Sequence, residues 1–395
     1  MKILIVSQYY YPENFKINDL STSLIAKGHH VEVLTAIPNY PKGTFFKGYN
    51  FFSRRKEIIN NINVHRARII PRFNGNKISL SFNYLSFVVF GSIELLFIKG
   101  RFDRIFIFAP SPITVGLVGI LASYRFKAKS YIWVQDLWPE SVSAAAGLKN
   151  KFILLILNNI TKIIYSLTDH IFIQSEAFKS YIIEQDVNEK KISYLPNYAE
   201  DFYRPINRKS ETIFSIIFAG NIGKAQNLNI LIEAAKLLNL KSISVKFKII
   251  GDGSYLAEMK ENIQLNSLNN YFEFIGPQSP NKMPEFFSKS DVLFLSLIKS
   301  RIFSYTIPSK LQTYMACKKP ILASIDGITN KIINHSKCGY ASSSNDSVEL
   351  VNNIIKLKNS DKSILEKMSE NGYKYYKKNF AKTVVLDKLI SKLSN

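Results

Sequence analysis

The amino-acid sequence predicts an α/β protein built from two doubly wound, Rossmann-like domains. Its 395 residues exceed what one ordinary hydrophobic core accommodates. Short apolar segments alternate with helical patterns, which indicates parallel strands joined by crossover helices. This alternation stops at a proline-containing connector, residues 191–205, and then starts again. We therefore predict one domain over residues 1–200 and a second over 201–375. A final helical segment, 376–395, is expected to pack back on the first domain.

The first predicted domain begins with a βαβ unit. Residues 3–8 form an apolar strand, a helix follows over 18–27, and Gly28 precedes a second strand at 29–36. Such a unit implies a right-handed crossover between parallel strands. The other elements predicted here are strands at 64–70, 104–110, 130–139 and 170–176, and helices at 79–98 and 149–167.

The second predicted domain repeats the alternation. Its strands are predicted at 213–226, 245–253, 271–276 and 291–297, and its helices at 228–238, 255–265 and 282–288. In doubly wound sheets, ligands bind beyond the carboxyl ends of the strands. If the two domains face each other, we expect a ligand cleft between those ends.

The charge of the chain narrows the classes of partner. There are 52 Lys and Arg residues against 30 Asp and Glu, a formal net charge of +22. This excess predicts attraction to polyanions such as nucleic acid, nucleotide substrates or an anionic membrane face. The first apolar run is too short for a signal peptide, and Cys317, Cys338 and the five histidines show no metal-binding spacing. We therefore expect a cytoplasmic protein without a metal.

Two segments suggest contact with a membrane surface. Residues 78–93 are strongly apolar but shorter than the ~20 residues of a spanning helix. We interpret them as part of a core or interfacial helix. Residues 42–56 combine basic and aromatic side chains, which suits anionic headgroups, although a solvated loop with core aromatics is the alternative. These side chains are Lys42, Lys47, Arg54, Arg55, Lys56, Phe45, Phe46, Tyr49, Phe51 and Phe52.

Residues 304–327 contain a candidate phosphate site. Pro308 and Ser309 lie where a helix begins, with Ser309 predicted as its N-cap. A helix N-terminus offers free N–H groups and a partial positive charge, and Lys310 adds a full charge in the first turn. Taken alone, the pattern is more typical of an ordinary β/α turn with an exposed lysine.

Two glycine-containing turns follow predicted strands of the second domain. Gly220, Asn221 and Lys224 belong to the first turn, and Gly251 and Gly253 to the second. Glycines after a strand permit a close approach of the backbone to a ligand, although either sequence also suits a plain turn. The spacing is not that of a P-loop. No dinucleotide-binding GxGxxG motif follows the first strand, which argues against a dehydrogenase.

The first domain carries two candidate carboxylates after a very apolar strand. Asp136 and Glu140 lie where side chains would face the expected cleft. A carboxylate there could act as a base or bind a sugar hydroxyl. The alternative is structural, with Asp136 as a helix N-cap and Glu140 in the first turn of that helix.

Together these motifs resemble the retaining nucleotide-sugar glycosyltransferases of family 4, which have the two-domain GT-B fold. The resemblance covers nearly the whole chain. It rests on YYYPENFKINDLSTSLIAKGHHVEVLT, LPNYAEDFYRP, FAGNIGKAQNLNILIEAAKLL, IIGDG, FEFIG and ILASIDG. VQDLWPES and TIPSKLQTYMA place the chain nearest to the WbuB-type N-acetyl-L-fucosamine transferases of O-antigen and capsule synthesis.

The resemblance implies a UDP-sugar donor on the second domain and no cofactor or metal, because helix dipoles and basic side chains would neutralise the departing diphosphate. The acceptor, a polyprenyl-diphosphate-linked saccharide, is expected on the first domain near Asn14, Lys16 and Glu140. Transfer would retain configuration at the sugar, with Asp136 orienting or deprotonating the acceptor hydroxyl. The donor residues implied are Gly220, Asn221, Lys224, Gly251, Gly253, Phe274, Gly276, Arg301, Tyr305, Ser309, Lys310 and Thr313.

The chain departs from the family pattern where charge is concerned. Tyr305 and Thr313 stand where the family has two glutamates. Asn221 replaces a family arginine, and Gln226 replaces a lysine. Phe15-Lys16 replaces a pair of glycines. The charge that balances the diphosphate must therefore come from elsewhere. Our hypothesis assigns it to Lys310, together with Lys16 or Lys224.

Two alternative functions stay open. A nucleotide-sugar 2-epimerase shares the GT-B architecture but would need acidic catalytic residues and no lipid acceptor. A nucleic-acid-binding protein would explain the positive charge, yet the charge is dispersed and no recognition motif is present, so we expect no nucleic-acid partner. Assays of UDP-sugar alone, and of random DNA beside UDP, distinguish these functions from a transferase.

Overall fold

The computed structural model describes residues 1–52, 55–73, 75–146, 148, 150–207 and 213–394. The chain divides into two compact units. Unit 1 comprises Met1–Leu195 with Leu386–Asn395, and unit 2 comprises Pro196–Val385. These limits lie close to, but not at, the domain limits of 200 and 376 that the sequence suggested.

Unit 1 contains an eight-stranded sheet with the order β3-β4-β2-β1-β5-β6-β7-β8. All neighbouring strands are parallel except the β3–β4 pair, which is antiparallel and was not predicted. The central strand β1 pairs with β2 on one side and β5 on the other, and its residues from Ile3 onwards are buried. The strands are β1 (Lys2–Val6), β2 (His30–Ala36), β3 (Lys56–Ile59), β4 (Ile62–Ala67), β5 (Arg104–Ala109), β6 (Lys129–Val134), β7 (His170–Ile173) and β8 (Ile192–Tyr194).

The helices of unit 1 are α1 (Lys16–Ala26), α2 (Lys77–Leu95), α3 (Val115–Phe126), α4 (Glu140–Ala146), α5 (Lys151–Leu167) and α6 (Phe178–Ile183). Among the described residues, α2 is long and apolar enough to cross a membrane, by length and composition. A core helix of a soluble protein meets the same two criteria. Here α2 packs on β2, β4 and α3, and the buried Asn83 in its middle donates to the carbonyl oxygen of Ile70.

Unit 2 contains a six-stranded parallel sheet with the order β11-β10-β9-β12-β13-β14. The strand order reverses between β9 and β12, which is where ligands bind in doubly wound sheets. Apolar clusters cover both faces of this sheet. The strands are β9 (Ser215–Ala219), β10 (Lys246–Ile250), β11 (Phe272–Gly276), β12 (Val292–Ser296), β13 (Ile321–Ser324) and β14 (Gly339–Ser342).

The remaining helices follow the strands of unit 2. They are α7 (Asn229–Leu240), α8 (Leu256–Leu265), α9 (Met283–Ser288), α10 (Arg301–Tyr305), α11 (Ser309–Ala316), α12 (Ile328–Ser336), α13 (Ser347–Lys358), α14 (Lys362–Asn379) and α15 (Lys382–Ser394). The sequence analysis missed α10, α12 and β14. Both α10 and β14 are only four or five residues long, too short for a periodic pattern to show.

Candidate functional site

Three turns follow β9, β10 and β11 at the carboxyl edge of the unit 2 sheet, and their backbones touch. The N–H of Gly251 donates to the carbonyl oxygen of Gly276 at 3.0 Å. A Cβ atom on Gly251 would lie 1.9 Å from the carbonyl oxygen of Gly220, and one on Gly253 would lie 2.4 Å from that of Ile222. Glycine is therefore required at both positions, because the neighbouring backbone leaves no room for a side chain.

Lys310 lies in the first turn of α11 and packs against the turn at Gly220. Its Nζ donates to Oε1 of Gln226 at 2.7 Å and lies 3.8 Å from the centre of the Phe218 ring. A Cβ atom on Gly220 would lie 2.7 Å from Cε of Lys310. Burial lowers the pKa of Lys310 to about 7, because a desolvated ammonium group loses its hydration. The structure thus brings Lys310 together with Gly220 and Gln226, far apart in sequence.

The start of α11 corrects one prediction. The N-cap is Pro308, with extended backbone and no side-chain hydrogen bond to the first turn, whereas Ser309 is the first helical residue and is exposed. The predicted N-cap role of Ser309 is therefore wrong. The fixed φ of proline suits the extended conformation of a cap residue and displaces the cap by one position. No cap side chain covers the first turn, in which the N–H of Leu311 donates to the carbonyl oxygen of Pro308 at 2.9 Å.

The other donor candidates of unit 2 lie in three separate contacts. Lys224 pairs with Glu258 at 3.5 Å, and both side chains are exposed. Nε of Arg301 donates to the hydroxyl of Tyr305 at 3.2 Å. The hydroxyl of Thr313 donates to the carbonyl oxygen of Lys310 within the helix.

The candidates for the nucleoside lie on the neighbouring strand. Phe274 is partly buried in β11, and its ring lies 5.1 Å from Nζ of Lys260. Gly276 ends that strand with φ +79°, and a Cβ atom there would meet open space. Asn221 is exposed in the first glycine turn, and its side-chain amide lies against Gly223.

In unit 1, Asp136 lies in a bend after β6. Helix α4 begins only at Glu140, so the alternative of Asp136 as the N-cap of that helix is wrong. No described residue forms a hydrogen bond or ion pair with the Asp136 carboxyl group, and burial raises its pKa to about 7. A carboxyl group of this kind exchanges a proton near neutral pH, which is the property of a general base.

The three acceptor candidates of unit 1 have different surroundings. Glu140, the first residue of α4, accepts a hydrogen bond from the hydroxyl of Tyr181, so its carboxylate is already engaged. Lys16 is the first residue of α1, directly after the N-cap Phe15. Asn14 is exposed in the loop between β1 and α1.

Sequence reasoning missed Glu13, which organises the same edge. This buried carboxylate accepts hydrogen bonds from the backbone N–H groups of Asn39 at 2.8 Å, Tyr40 at 2.7 Å and Tyr10 at 3.3 Å. Burial raises the pKa of Glu13 to about 7, against the effect of these three donors. Glu13 therefore fastens the loop after β1 to the loop after β2. An acidic residue directly after Pro12 in an otherwise aromatic loop was the available signal.

No group of three or more His, Cys, Asp or Glu side chains within the described part of the chain could hold a metal ion. Both cysteines are unpaired and buried in unit 2, where burial raises the pKa of Cys317 to about 12 and that of Cys338 to about 11.

Comparison with known sequences identifies the class. Residues 199–375 match the family described as glycosyl transferases group 1. An uncharacterised glycosyltransferase of Methanocaldococcus jannaschii is 25% identical over 401 residues, which span 96% of this chain and 95% of that protein. A protein of Escherichia coli named as colanic acid biosynthesis glycosyl transferase WcaI is 25% identical over 345 residues, 80% of this chain and 81% of its own.

Solved structures agree on the fold. Sucrose-phosphate synthase of Thermosynechococcus elongatus superposes with a TM-score of 0.76 at 14% identity, covering 99% of this chain and 97% of that one. HepE of Anabaena, in complex with UDP and glucose, gives a TM-score of 0.69 at 15% identity, covering 100% and 99%. At such identities the likeness concerns the fold alone.

The chain therefore has the GT-B fold of two Rossmann-like α/β domains, which confirms the predicted fold class. Residues 199–375 are similar to the glycosyl transferases group 1, and the protein is a glycosyltransferase.

Proposed function

We propose that this glycosyltransferase moves a sugar from a UDP-sugar to a lipid-linked saccharide with retention of configuration, in the synthesis of O-antigen or capsular polysaccharide. The sugar we propose is N-acetyl-L-fucosamine or a related amino or deoxy sugar. One observation carries the proposal: the glycine turns of unit 2 and the half-buried Lys310 together form an edge where backbone groups and a cation lie side by side. Such an edge suits a nucleoside diphosphate.

The donor is assigned to unit 2. HepE, which has the same fold, was solved with UDP and glucose, which supports a nucleotide-sugar donor. We assign the diphosphate to Lys310 and the first turn of α11, and the nucleoside to the backbone near Phe274 and Gly276. Arg301 on helix α10, whose Nε donates to the hydroxyl of Tyr305, is a further candidate for the phosphates. Lys224 is a weaker candidate because its ammonium group pairs with Glu258.

Lys310 also suits the leaving step. Its pKa of about 7 means that the ligand-free lysine is partly neutral at physiological pH. A diphosphate beside it favours the charged form, so binding would take up a proton and fix a full positive charge against the leaving group. The acceptor hydroxyl would then attack on the face that UDP leaves. The proton of that hydroxyl would pass to the Asp136 carboxylate, or to the leaving phosphate oxygen where Asp136 only orients the hydroxyl, and no protein nucleophile would be required.

The acceptor is assigned to unit 1. Asp136 is the residue for orienting or deprotonating the acceptor hydroxyl, because its carboxyl group has no partner among the described residues and a pKa near 7. Asn14 and Lys16 lie at the same carboxyl edge, beside the loop that Glu13 holds. The name of WcaI, a colanic acid biosynthesis transferase, supports an acceptor in polysaccharide synthesis.

We also propose that unit 1 rests on the anionic cytoplasmic face of the inner membrane. Exposed apolar side chains on α2 and α5, two long helices that both pack on α3, support this, because several large apolar side chains exposed on one helix are unusual for a water-facing surface. Lys77 and Lys151 begin these two helices and are exposed, which suits anionic headgroups. The apolar side chains are Phe82, Leu85, Val89 and Ile93 on α2, and Phe152, Leu155, Ile156 and Ile163 on α5.

The predicted basic–aromatic cluster of residues 42–56 supports the membrane proposal in part. Phe52 is exposed, as are Lys42 and Lys47, whereas Tyr49 packs beneath Arg66 and bonds Glu57. Arg54 lies outside the described residues. Flotation of the protein with vesicles containing phosphatidylglycerol tests this surface. Recovery in the soluble fraction at low salt would contradict it.

A panel of UDP-sugars, assayed with and without lipid-linked acceptor, tests the function. We expect transfer only when acceptor is present, with UDP released in equal amount. Isomerised sugar from UDP-sugar alone would instead establish the epimerase. No reaction and no UDP binding, beside a salt-dependent shift of random DNA, would establish the nucleic-acid-binding alternative.

A further inference from the structure

We propose that Arg72 and the tyrosines around it bind a phosphate group of the acceptor. This inference rests on the proposed function for the identity of the acceptor, but the contacts that carry it belong to unit 1 alone. We call this group of residues the Arg72 cage; it consists of Arg72, Tyr9, Tyr40 and Tyr84.

The cage lies at the carboxyl edge of the unit 1 sheet. Tyr9 follows β1, Tyr40 follows β2, Arg72 follows β4, and Tyr84 belongs to α2. The Arg72 guanidinium carbon lies 5.2 Å, 4.9 Å and 5.6 Å from the ring centres of Tyr9, Tyr40 and Tyr84. One of its terminal nitrogens donates to the Tyr9 hydroxyl. Loops from three strands therefore converge on one cation, which is the arrangement of a binding site at a strand-end crevice.

The charge of Arg72 is not balanced by a carboxylate. No Asp or Glu in the described part of the chain forms an ion pair with it. Arg66 of the same unit, which is fully buried, is by contrast paired with Glu57 at 2.5 Å. Three aromatic rings hold Arg72 in place through their faces, which leaves its positive charge available to an anion.

The hydrogen-bonding capacity of Arg72 is also incomplete. Its Nε–H is buried and has no hydrogen-bond partner. Buried N–H groups are normally satisfied, and an exception needs an explanation. A guanidinium group presents its N–H groups as a fork that matches the oxygens of phosphate, and a ligand phosphate would supply the missing acceptor.

The surroundings suit a sugar or a prenyl chain attached to that phosphate. The Phe15 ring stacks on the Tyr9 ring with 4.5 Å between ring centres, and its centre lies 5.3 Å from that of the Tyr40 ring. Tyr40 is 38% exposed. The cage is therefore open to solvent beside an aromatic surface. On the other side of the cage, the ring centres of Tyr84 and Trp138 lie 6.3 Å apart. Trp138 belongs to the loop that also carries Asp136. A phosphate on Arg72 would thus anchor the acceptor next to the candidate base.

The anion could also be the carboxylate of an acidic sugar, but the diphosphate of the proposed lipid carrier is favoured. A diphosphate carries more charge than a carboxylate and has oxygens enough for both Arg72 and the Tyr9 hydroxyl. In a lipid-linked saccharide, the diphosphate is flanked by a prenyl chain on one side and a sugar on the other. Either group could cover the aromatic surface at Phe15 and Tyr40.

The test measures binding of geranyl diphosphate to the full chain by calorimetry, with UDP at saturation so that the donor site is filled. We expect Arg72→Gln to weaken binding at least tenfold. Arg72→Lys should weaken it several-fold, because a lysine keeps the charge over the rings and loses the fork. Arg101→Gln removes the same charge from an exposed position before β5 and should change the affinity less than twofold.

Each outcome decides the proposal. Wild-type affinity in both Arg72 variants, or no binding of geranyl diphosphate by the wild type, would overturn it. Weakened binding of glucuronate with unchanged binding of geranyl diphosphate would show an acidic-sugar site instead. If the Arg72 variants lose geranyl diphosphate binding but the wild type transfers sugar from no UDP-sugar, the Arg72 cage is a phosphate site and the proposed function is wrong. Arg72→Lys keeps these outcomes readable should Arg72→Gln fail to fold.

Discussion

The carboxyl edges of the two sheets are built in different ways. In unit 2, three glycine turns lie backbone against backbone, and the half-buried Lys310 supplies a positive charge. In unit 1, side chains hold the loops of the edge together and supply its charge: Glu13 joins two loops, and aromatic rings enclose Arg72. An edge made of main chain can recognise what all nucleotide donors share. An edge made of side chains can change with the acceptor while the fold stays the same.

The largest expected effect breaks the backbone edge of unit 2. Gly251→Ala should lower the free energy of unfolding by about 3–4 kcal/mol, because its φ of +137° and the carbonyl oxygen 1.9 Å away both exclude a methyl group. Gly276→Ala is the matched control: it also has a positive φ but open space around it, so about 1 kcal/mol is expected. Urea unfolding of the full-length variants measures both values.

Equal losses in the two glycine variants would show that backbone conformation alone matters. The close approach of the turns would then not define this edge. UDP binding to the folded fraction should follow the same order, since Gly251 positions the turn at Gly220 and, through it, Lys310.

The same contrast explains what the sequence could and could not predict. The glycine turns and strands of unit 2 were predictable because a turn is specified by a few neighbouring residues. Glu13 and Arg72 were missed because their partners, Asn39, Tyr40 and Tyr84, are distant in sequence and only the fold brings them together.

Two predictions near the site were wrong for physical reasons. Ser309 was predicted to cap α11 because serine favours that position, but the preceding proline takes the extended cap conformation itself. Asp136 was given the alternative of a helix cap, but three more residues follow it before α4 begins. A cap is decided by where the helix starts, and helix boundaries are the least determined part of a periodic pattern.

A smaller effect, on chemistry without folding, is expected in unit 1. Asp136→Asn should reduce kcat about 100-fold at pH 8, because an amide cannot accept the proton of the acceptor hydroxyl. The unfolding midpoint should change little. Asp186→Asn, at an exposed ion pair with Lys162, is the control for charge and should leave kcat unchanged.

The pH profile sharpens the assignment of Asp136. Its carboxyl group has a pKa of about 7 and acts when deprotonated, so wild-type kcat should rise between pH 6 and 8 and then level off. The Asp136→Asn variant should show no such rise. A rise that persists in the variant would assign the titration to another group and remove Asp136 from the reaction.

The smallest expected effect is the response of UDP affinity to pH, which depends on Lys310. The free lysine has a pKa of about 7, and a bound diphosphate must raise it, so binding takes up a proton above pH 7. The Kd for UDP should therefore increase with pH between 7 and 9, at most about tenfold per pH unit. Below pH 7 the lysine is already charged and contributes no slope.

Lys310→Met separates this charge from the packing of the side chain. The methionine keeps an apolar stem over Phe218, so folding should persist, while UDP affinity at pH 7 falls about tenfold and its pH dependence disappears. Calorimetry in buffers of different ionisation enthalpy counts the protons taken up. Lys236→Met, from an exposed pair with Glu233, should behave like the wild type. A wild-type Kd that is constant from pH 7 to 9, together with unchanged UDP binding by Lys310→Met, would contradict the assignment. Lys310 would then only stabilise the turn at Gly220, and another group would neutralise the diphosphate.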